Sequence, residues 1–188
     1  MAKLISKTYG DALFQAAVEK QMLNQMAEEA VLILKILKEN EDLTKLLGHP
    51  RIDKEEKIRV VETIFKGRIS DSMTGFLVLV IEKDRQEKLK ETLDYFLELV
   101  KLEHKIGTAF VTSAAPLSEA QKQQVVKRLE ETTGYRSFEM NYRTDPDLIG
   151  GMVIRIGDRV VDSSIRTRLD KMAKELSRIQ LSAGGQNK

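Results

Sequence analysis

Hydrophobic positions change their spacing once along this chain, near residue 105, and the change predicts two domains. Before it the period is helical. Tyr9, Leu13, Ala16 and Ala17 recur at i, i+4, i+7 and i+8, and Met26, Ala30, Ile33 and Leu37 form a similar stripe, as amphipathic helices require. A short apolar piece, Leu43–Leu47, stops at Gly48-His49-Pro50, where glycine can close a helix and proline cannot continue one. Asp53 with Glu56 predicts a capping-box start for a helix carrying Ile58, Val61, Ile64 and Phe65. Ser70 or Asp71 is the candidate cap of a fifth segment, with Met73, Phe76, Leu77, Val80 and Ile81. Period alone would also allow Phe76–Ile81 as a buried strand; no turn residues bound it and charged residues follow directly, which favours helix. Leu89, Leu93, Phe96 and Val100 make one stripe of a sixth segment, Gln86–Lys105. Residues 1–105 are thus expected to form a six-helix bundle with short loops.

Beyond Gly107 the period shortens. Thr108–Ser113 is β-branched and aromatic, as strands tend to be. Ser118 with Gln121 predicts a second capping box, for a helix through Leu129 that ends before Gly134. Phe138, Met140 and Tyr142 alternate, as do Met152, Ile154 and Ile156, the mark of half-buried strands. Gly157-Asp158 supplies a two-residue hairpin into Arg159-Val160-Val161. Asp162 or Ser163 then caps a last helix with Ile165, Leu169, Met172 and Leu176. The fold class read from this order is α+β: the helical bundle, then a small α/β domain with a mixed sheet over 106–181, and a flexible polar tail, 182–188.

Composition removes function classes. Lys+Arg total 31 and Asp+Glu 29, for a net charge of +2, too weak a field for a general nucleic-acid binder. With no cysteine, disulfides, thiolate metal sites and cysteine nucleophiles are gone together. Met1–Lys7 lacks the apolar core of a secretory signal and the Arg- and Ser-rich character of a transit peptide. The longest apolar run, Phe76–Ile81, falls well short of the ~18 residues of a membrane span. Any membrane association is therefore expected to be indirect.

The candidate chemistry is thin. His49 and His104 have no partners at ligand spacing, and His49 reads as a turn residue before Pro50. Gly150-Gly151 precedes a strand with no Gly-Lys-Ser/Thr, so a crowded strand entry or bulge explains it better than a phosphate loop. Asp145, Asp147, Asp158 and Asp162 sit at turns, with Arg155, Arg159, Arg166 and Arg168 available for surface ion pairs. No catalytic, cofactor or metal site is expected. A competing functional reading is an RNA-binding or ribosome-associated module, since Lys122, Lys127, Arg128 and Arg136 fall near Phe138 and Tyr142. Interleaved Glu130, Glu131 and Glu139 favour core aromatics and a solvated mixed-charge helix face instead.

One long pattern resembles a known family. Phe138 to Gly157, centred on Asp145-Pro146-Asp147-Leu148-Ile149-Gly150-Gly151, and then Val160-Val161-Asp162-Ser163-Ser164-Ile165-Arg166 with Leu169, is similar to the signature of delta subunits of bacterial rotary ATP synthases. The mitochondrial relative is the oligomycin-sensitivity-conferring protein. Tyr9-Gly10-Asp11-Ala12-Leu13-Phe14 resembles the family's opening motif, with Gly10 where alanine is usual; Phe76-Leu77 through Arg85, and Thr112 through Gln121, resemble later parts. The resemblance implies a non-catalytic stator connector without cofactors, one copy per complex, on the cytoplasmic face of the bacterial membrane. It implies that the helical domain binds N-terminal segments of the alpha subunits and the second domain the C-terminal ends of the b subunits. Tyr9, Ala12, Leu13 and Ala16 on the first helix, with Leu79 and Lys83 on the fifth, are the implied alpha-facing set; Leu13 and Leu79 fit a core role equally well.

Overall fold

The structure, a computed structural model, describes residues 2–173; the expected tail, 182–188, and Leu176 of the predicted last helix lie outside them. The chain divides into two compact units between Glu103 and His104. The fold is α+β, helices followed by a C-terminal mixed sheet.

The first unit contains α1 (Ala2–Glu19), α2 (Leu23–Glu39), α3 (Glu41–Gly48), α4 (Lys54–Phe65), α5 (Asp71–Glu82) and α6 (Leu89–Glu103), with a 3-10 turn, Gln86–Lys88, leading into α6. The stripes supply the core: Ala17, Met26, Ala30, Ile33, Met73, Leu93 and Phe96 are wholly buried, and Leu13, Val61 and Leu77 nearly so. The Phe76–Ile81 run is helical. Met73, Phe76, Leu77, Val80 and Ile81 are buried while Gly75 and Leu79 are exposed, a 3.6-residue period rather than a two-residue one. Ser70 is the cap of α5, its Oγ accepting from the Met73 N–H at 3.2 Å. The box expected at Asp53 does not form. Asp53 occupies the N-cap with extended backbone but makes no side-chain capping bond, and the acidic first-turn residues Glu55 and Glu56 complement the helix dipole by charge alone.

Gly10 is explained by a close approach. A Cβ there would lie 2.5 Å from Tyr95 Cδ1 and 3.4 Å from the Thr92 carbonyl, so α1 rides directly on α6. The Tyr95 hydroxyl donates to Asp11 Oδ1 at 3.0 Å, holding the ring across the glycine. The helix-propensity cost of Gly10, about 1 kcal/mol against alanine, is offset by this packing.

The second unit runs β1 (Ile106–Ser113), α7 (Glu119–Thr132), β2 (Ser137–Thr144), β3 (Met152–Ile156) and β4 (Arg159–Asp162), then α8 (165–173). The four-stranded sheet has the order β2-β1-β3-β4. β1 and β2 are parallel, joined through α7, and β3 and β4 are antiparallel additions. Register puts Ala109, Val111, Met140, Ile154 and Ile156 on one face, where they pack with Val125 and Leu129 of α7. The capping box of α7 is present, with the Ser118 N–H donating to Gln121 Oε1 at 2.9 Å. Gly157 turns the β3–β4 hairpin at φ 55°.

Candidate partner-binding surfaces

In the first unit the candidate residues separate by exposure. Ala12, Leu79 and Lys83 are exposed, Tyr9 and Ala16 half-buried, and Leu13 buried in the core. Leu13 therefore packs inward with Ala17, in the same apolar cluster as Phe76, Leu77 and Val80 of α5. Lys20 Nζ donates to Ser72 Oγ at 2.8 Å, tying the end of α1 to the start of α5. Leu79 is 41% exposed on a helix that otherwise buries its large apolar side chains.

The position of α5 depends on a residue that the stripes do not reveal. Glu29 is buried on the apolar face of α2. Its carboxylate accepts from the Ser70 N–H at 2.8 Å and the Ser70 hydroxyl at 2.7 Å, and from Gln25 Nε2 at 3.0 Å. The far end of α5 is held by Lys54, which pairs with Asp84 and donates to the Glu82 carbonyl at 3.1 Å. The available sequence signal for Glu29 is an acid three residues after Met26 and four before Ile33, inside the buried stripe.

A cavity of about 540 Å³ lies elsewhere in this unit, between α2, α3 and the 3-10 turn, with Leu34, Leu37, Leu47 and Leu89 in its walls. Its charged lining residues are exposed lysines and glutamates, and Lys45 pairs with Glu41 at 3.3 Å. None of the candidate residues lines it.

In the second unit the acidic residues organise turns. Asp145 Oδ1 accepts from the Asp147 N–H at 3.1 Å. Asp162 Oδ1 accepts from the Ser164 N–H at 2.8 Å and Oδ2 from the Thr167 hydroxyl at 2.6 Å. The cap of α8 is therefore Ser164, whose Oγ accepts from the Thr167 N–H at 3.2 Å, and not Asp162 or Ser163; Asp162 braces the cap from two residues earlier. Among the described residues no metal-holding cluster forms, and no ion pair joins these aspartates to Arg155, Arg159, Arg166 or Arg168. His49 is a turn residue, its Nδ1 accepting from the Arg51 N–H at 3.2 Å. Tyr142 is not core, as expected from the alternation, but 38% exposed with the Lys122 ammonium 5.2 Å from its ring centre. Phe110, on the sheet face away from α7, carries the Arg155 guanidinium at 4.8 Å.

The Thr167 hydroxyl and Ser164 N–H hold the Asp162 carboxyl below the usual aspartate range. A depressed folded value contributes stability that is full above the unfolded value, about 4, and is lost as the pH falls through the folded one. Protection of the amides at the start of α8, taken relative to their intrinsic exchange rate at each pH, is thus expected to fall below about pH 4, and Asp162→Asn to remove that dependence; an unchanged acid response in the variant would assign it to another group.

The family model described as ATP synthase delta (OSCP) subunit matches residues 5–176. Proteins named ATP synthase subunit delta are similar along nearly their whole length. That of Lachnoclostridium phytofermentans is 51% identical over 96% of this chain and 100% of the relative. That of Prochlorococcus marinus is 34% identical over 93% and 96%. A chain in the cryo-EM structure of the Toxoplasma gondii mitochondrial ATP synthase hexamer matches with a TM-score of 0.67 at 17% identity, over 91% of this chain and 96% of that one, which shows a shared fold.

Proposed function

Since the chain belongs to the ATP synthase delta (OSCP) subunit family, a stator-linking subunit of F-type ATP synthase, we propose that its two units divide the linkage between them. The first, a six-helix bundle, takes N-terminal segments of the alpha subunits on the surface of α1 and α5. The second holds the C-terminal ends of the b subunits. One non-catalytic copy serves each complex, on the cytoplasmic face of the bacterial membrane, attached through its partners. No helix among the described residues is long and apolar enough to cross a membrane.

The observation that carries the head-side assignment is the exposure of Leu79 on α5 together with exposed Ala12 on the helix tied to it at Lys20 and Ser72. A small residue and a large apolar one on neighbouring helices form a seat for an amphipathic partner helix. Leu13 supports that seat from beneath, Tyr9 and Ala16 flank it, and Lys83 lies just past the end of α5. The mechanical demand fits. A stator resists torque during rotation, so it needs broad contacts that dissociate slowly rather than a reactive pocket.

Ala12→Asp is expected to weaken binding to the purified catalytic head by about tenfold or more, because a charge at the centre of an apolar contact is desolvated without a partner. Its urea midpoint should stay near that of the parent, since position 12 is exposed. Unchanged head affinity would remove α1 from the proposed surface.

A further inference from the structure

We propose that the cavity between α2, α3 and the 3-10 turn is a binding site for a small neutral amphiphile, an apolar body carrying one O–H or N–H donor for Gln86. This goes beyond the linkage proposed above and does not rest on it.

Four leucines make the walls. Leu34 and Leu37 come from α2, Leu47 from α3 and Leu89 from the start of α6. Leu34 and Leu37 are only half-buried, so α2 leaves apolar surface on the cavity. At about 540 Å³ the space has the size of a small-molecule site, whose walls are mostly apolar with a few placed polar groups.

One such polar group is present. Gln86 lines the cavity, and its Oε1 is buried without a hydrogen-bond partner, alone in this respect among side-chain atoms of the described residues. Buried polar atoms ordinarily have partners, and an acceptor left unpaired bears its full desolvation cost. An ordered water would need several polar neighbours, which the leucine walls do not offer. The amide turns about a broad terminal torsion, so a donor seated among the leucines meets the oxygen after a small side-chain movement.

Charge argues for a neutral occupant. The charged lining residues are Lys38, Lys45 and Lys90 against Glu41 and Glu87. All are exposed, and Lys45 is already paired with Glu41. No single sign dominates, and salt screens exposed charges of this kind. Selection is left to shape, apolar contact and the one acceptor.

The position of the site gives its occupant an effect. α3 is a short helix, Glu41–Gly48, with Leu43 and Leu47 as its buried side chains, and the cavity lies against it. A ligand there binds the folded unit and not the unfolded chain, so it steadies α3.

The test uses the full chain with 1-octanol and its isostere heptyl methyl ether, which keeps the apolar length but donates nothing. Octanol is expected to saturate with a Kd of about 1 mM or tighter. It should move the backbone amide resonances of 34–48 and 86–90, the segments that line the cavity, and slow amide exchange in α3. The ether should bind about fivefold more weakly, the worth of one neutral hydrogen bond. Gln86→Met should erase that preference and leave the ether's affinity at the parent value. Leu37→Trp, which fills the space, should abolish saturable binding of both probes; should it fail to fold, the Gln86→Met comparison decides alone. Shifts that grow linearly and spread over the whole surface would make the alcohol a cosolvent and overturn the proposal, as would equal affinities of the two probes for the parent. Displacement of octanol by the purified catalytic head would assign the cavity to that interface and overturn it too.

Discussion

Replacing Gly151 with alanine is expected to destabilise the second unit by about 3 kcal/mol or more, from left-handed backbone strain of about 1–2 kcal/mol and overpacking of about 1–3 kcal/mol. Gly151 has φ 76°, and an added Cβ would lie 2.4 Å from the Ser163 carbonyl oxygen and 3.0 Å from Ser164 Cα. These are backbone atoms, so no rotamer change relieves the clash. The Ser163–Met152 and Ile165–Gly150 hydrogen bonds hold the two segments together at that point. Relief would have to come from shifting the start of β3 or the cap of α8. Gly157 is the control. It has φ 55° but nothing within 4 Å of its Cβ position, so Gly157→Ala should cost only the strain, about 1 kcal/mol. Urea unfolding combined with segment-resolved amide exchange separates the two: Gly151→Ala should lose protection throughout β3 and β4 while α2 and α6 keep theirs. Equal effects at the two glycines would mean that the approach to Ser163 is softer than the geometry implies.

The same glycine shows what can be read before a structure exists. Its place in Asp145–Leu169 is visible as a pattern, and its position ahead of an alternating run argues for a strand entry rather than a phosphate loop. The atom that forbids a side chain is twelve residues away at Ser163, and no period encodes that contact. Local signals read well for the same reason. The Ser118–Gln121 box, the Gly157-Asp158 hairpin and the stripe through Met26, Ala30 and Ile33 each depend on neighbours within a turn or two. Asp53 misleads because a capping residue can adopt the right backbone without turning its side chain inward. Ser164 is missed by one position, since three consecutive residues, Asp162, Ser163 and Ser164, are all competent caps. At the candidate surface, an apolar residue at helical spacing looks the same whether it faces a core or a partner. Leu13 and Leu79 fit both roles by pattern; only burial separates them, with 3% exposed against 41%.

Glu29→Ala is expected to cost the first unit about 1–3 kcal/mol, because it removes a buried charged acceptor and leaves two half-buried donors on Ser70 without it. The Ser70 N–H and hydroxyl both point at the Glu29 carboxylate, and the Ser70 oxygen in turn accepts from the Met73 N–H. Glu29, Ser70 and the first turn of α5 thus form one chain of hydrogen bonds, and its members should not behave additively. Ser70→Ala alone removes the cap and costs about 1 kcal/mol; in a Glu29→Ala background it should cost clearly less, since the hydroxyl is already without its acceptor. Glu29→Gln should fall between, because one amide oxygen can still accept from the Ser70 N–H while the amino group cannot take the hydroxyl proton. Urea midpoints of the four proteins in the Glu29/Ser70 cycle measure the coupling, and strict additivity would show that Glu29 acts by filling space. The consequence reaches the proposed head-binding surface. Glu29 bonds to Ser70 at the start of α5, nine residues before Leu79, and so fixes the start of the helix that presents Leu79. A variant that remains folded, such as Glu29→Gln, should therefore bind the catalytic head more weakly through a less well-positioned α5, and adding Ala12→Asp to it should compound the loss.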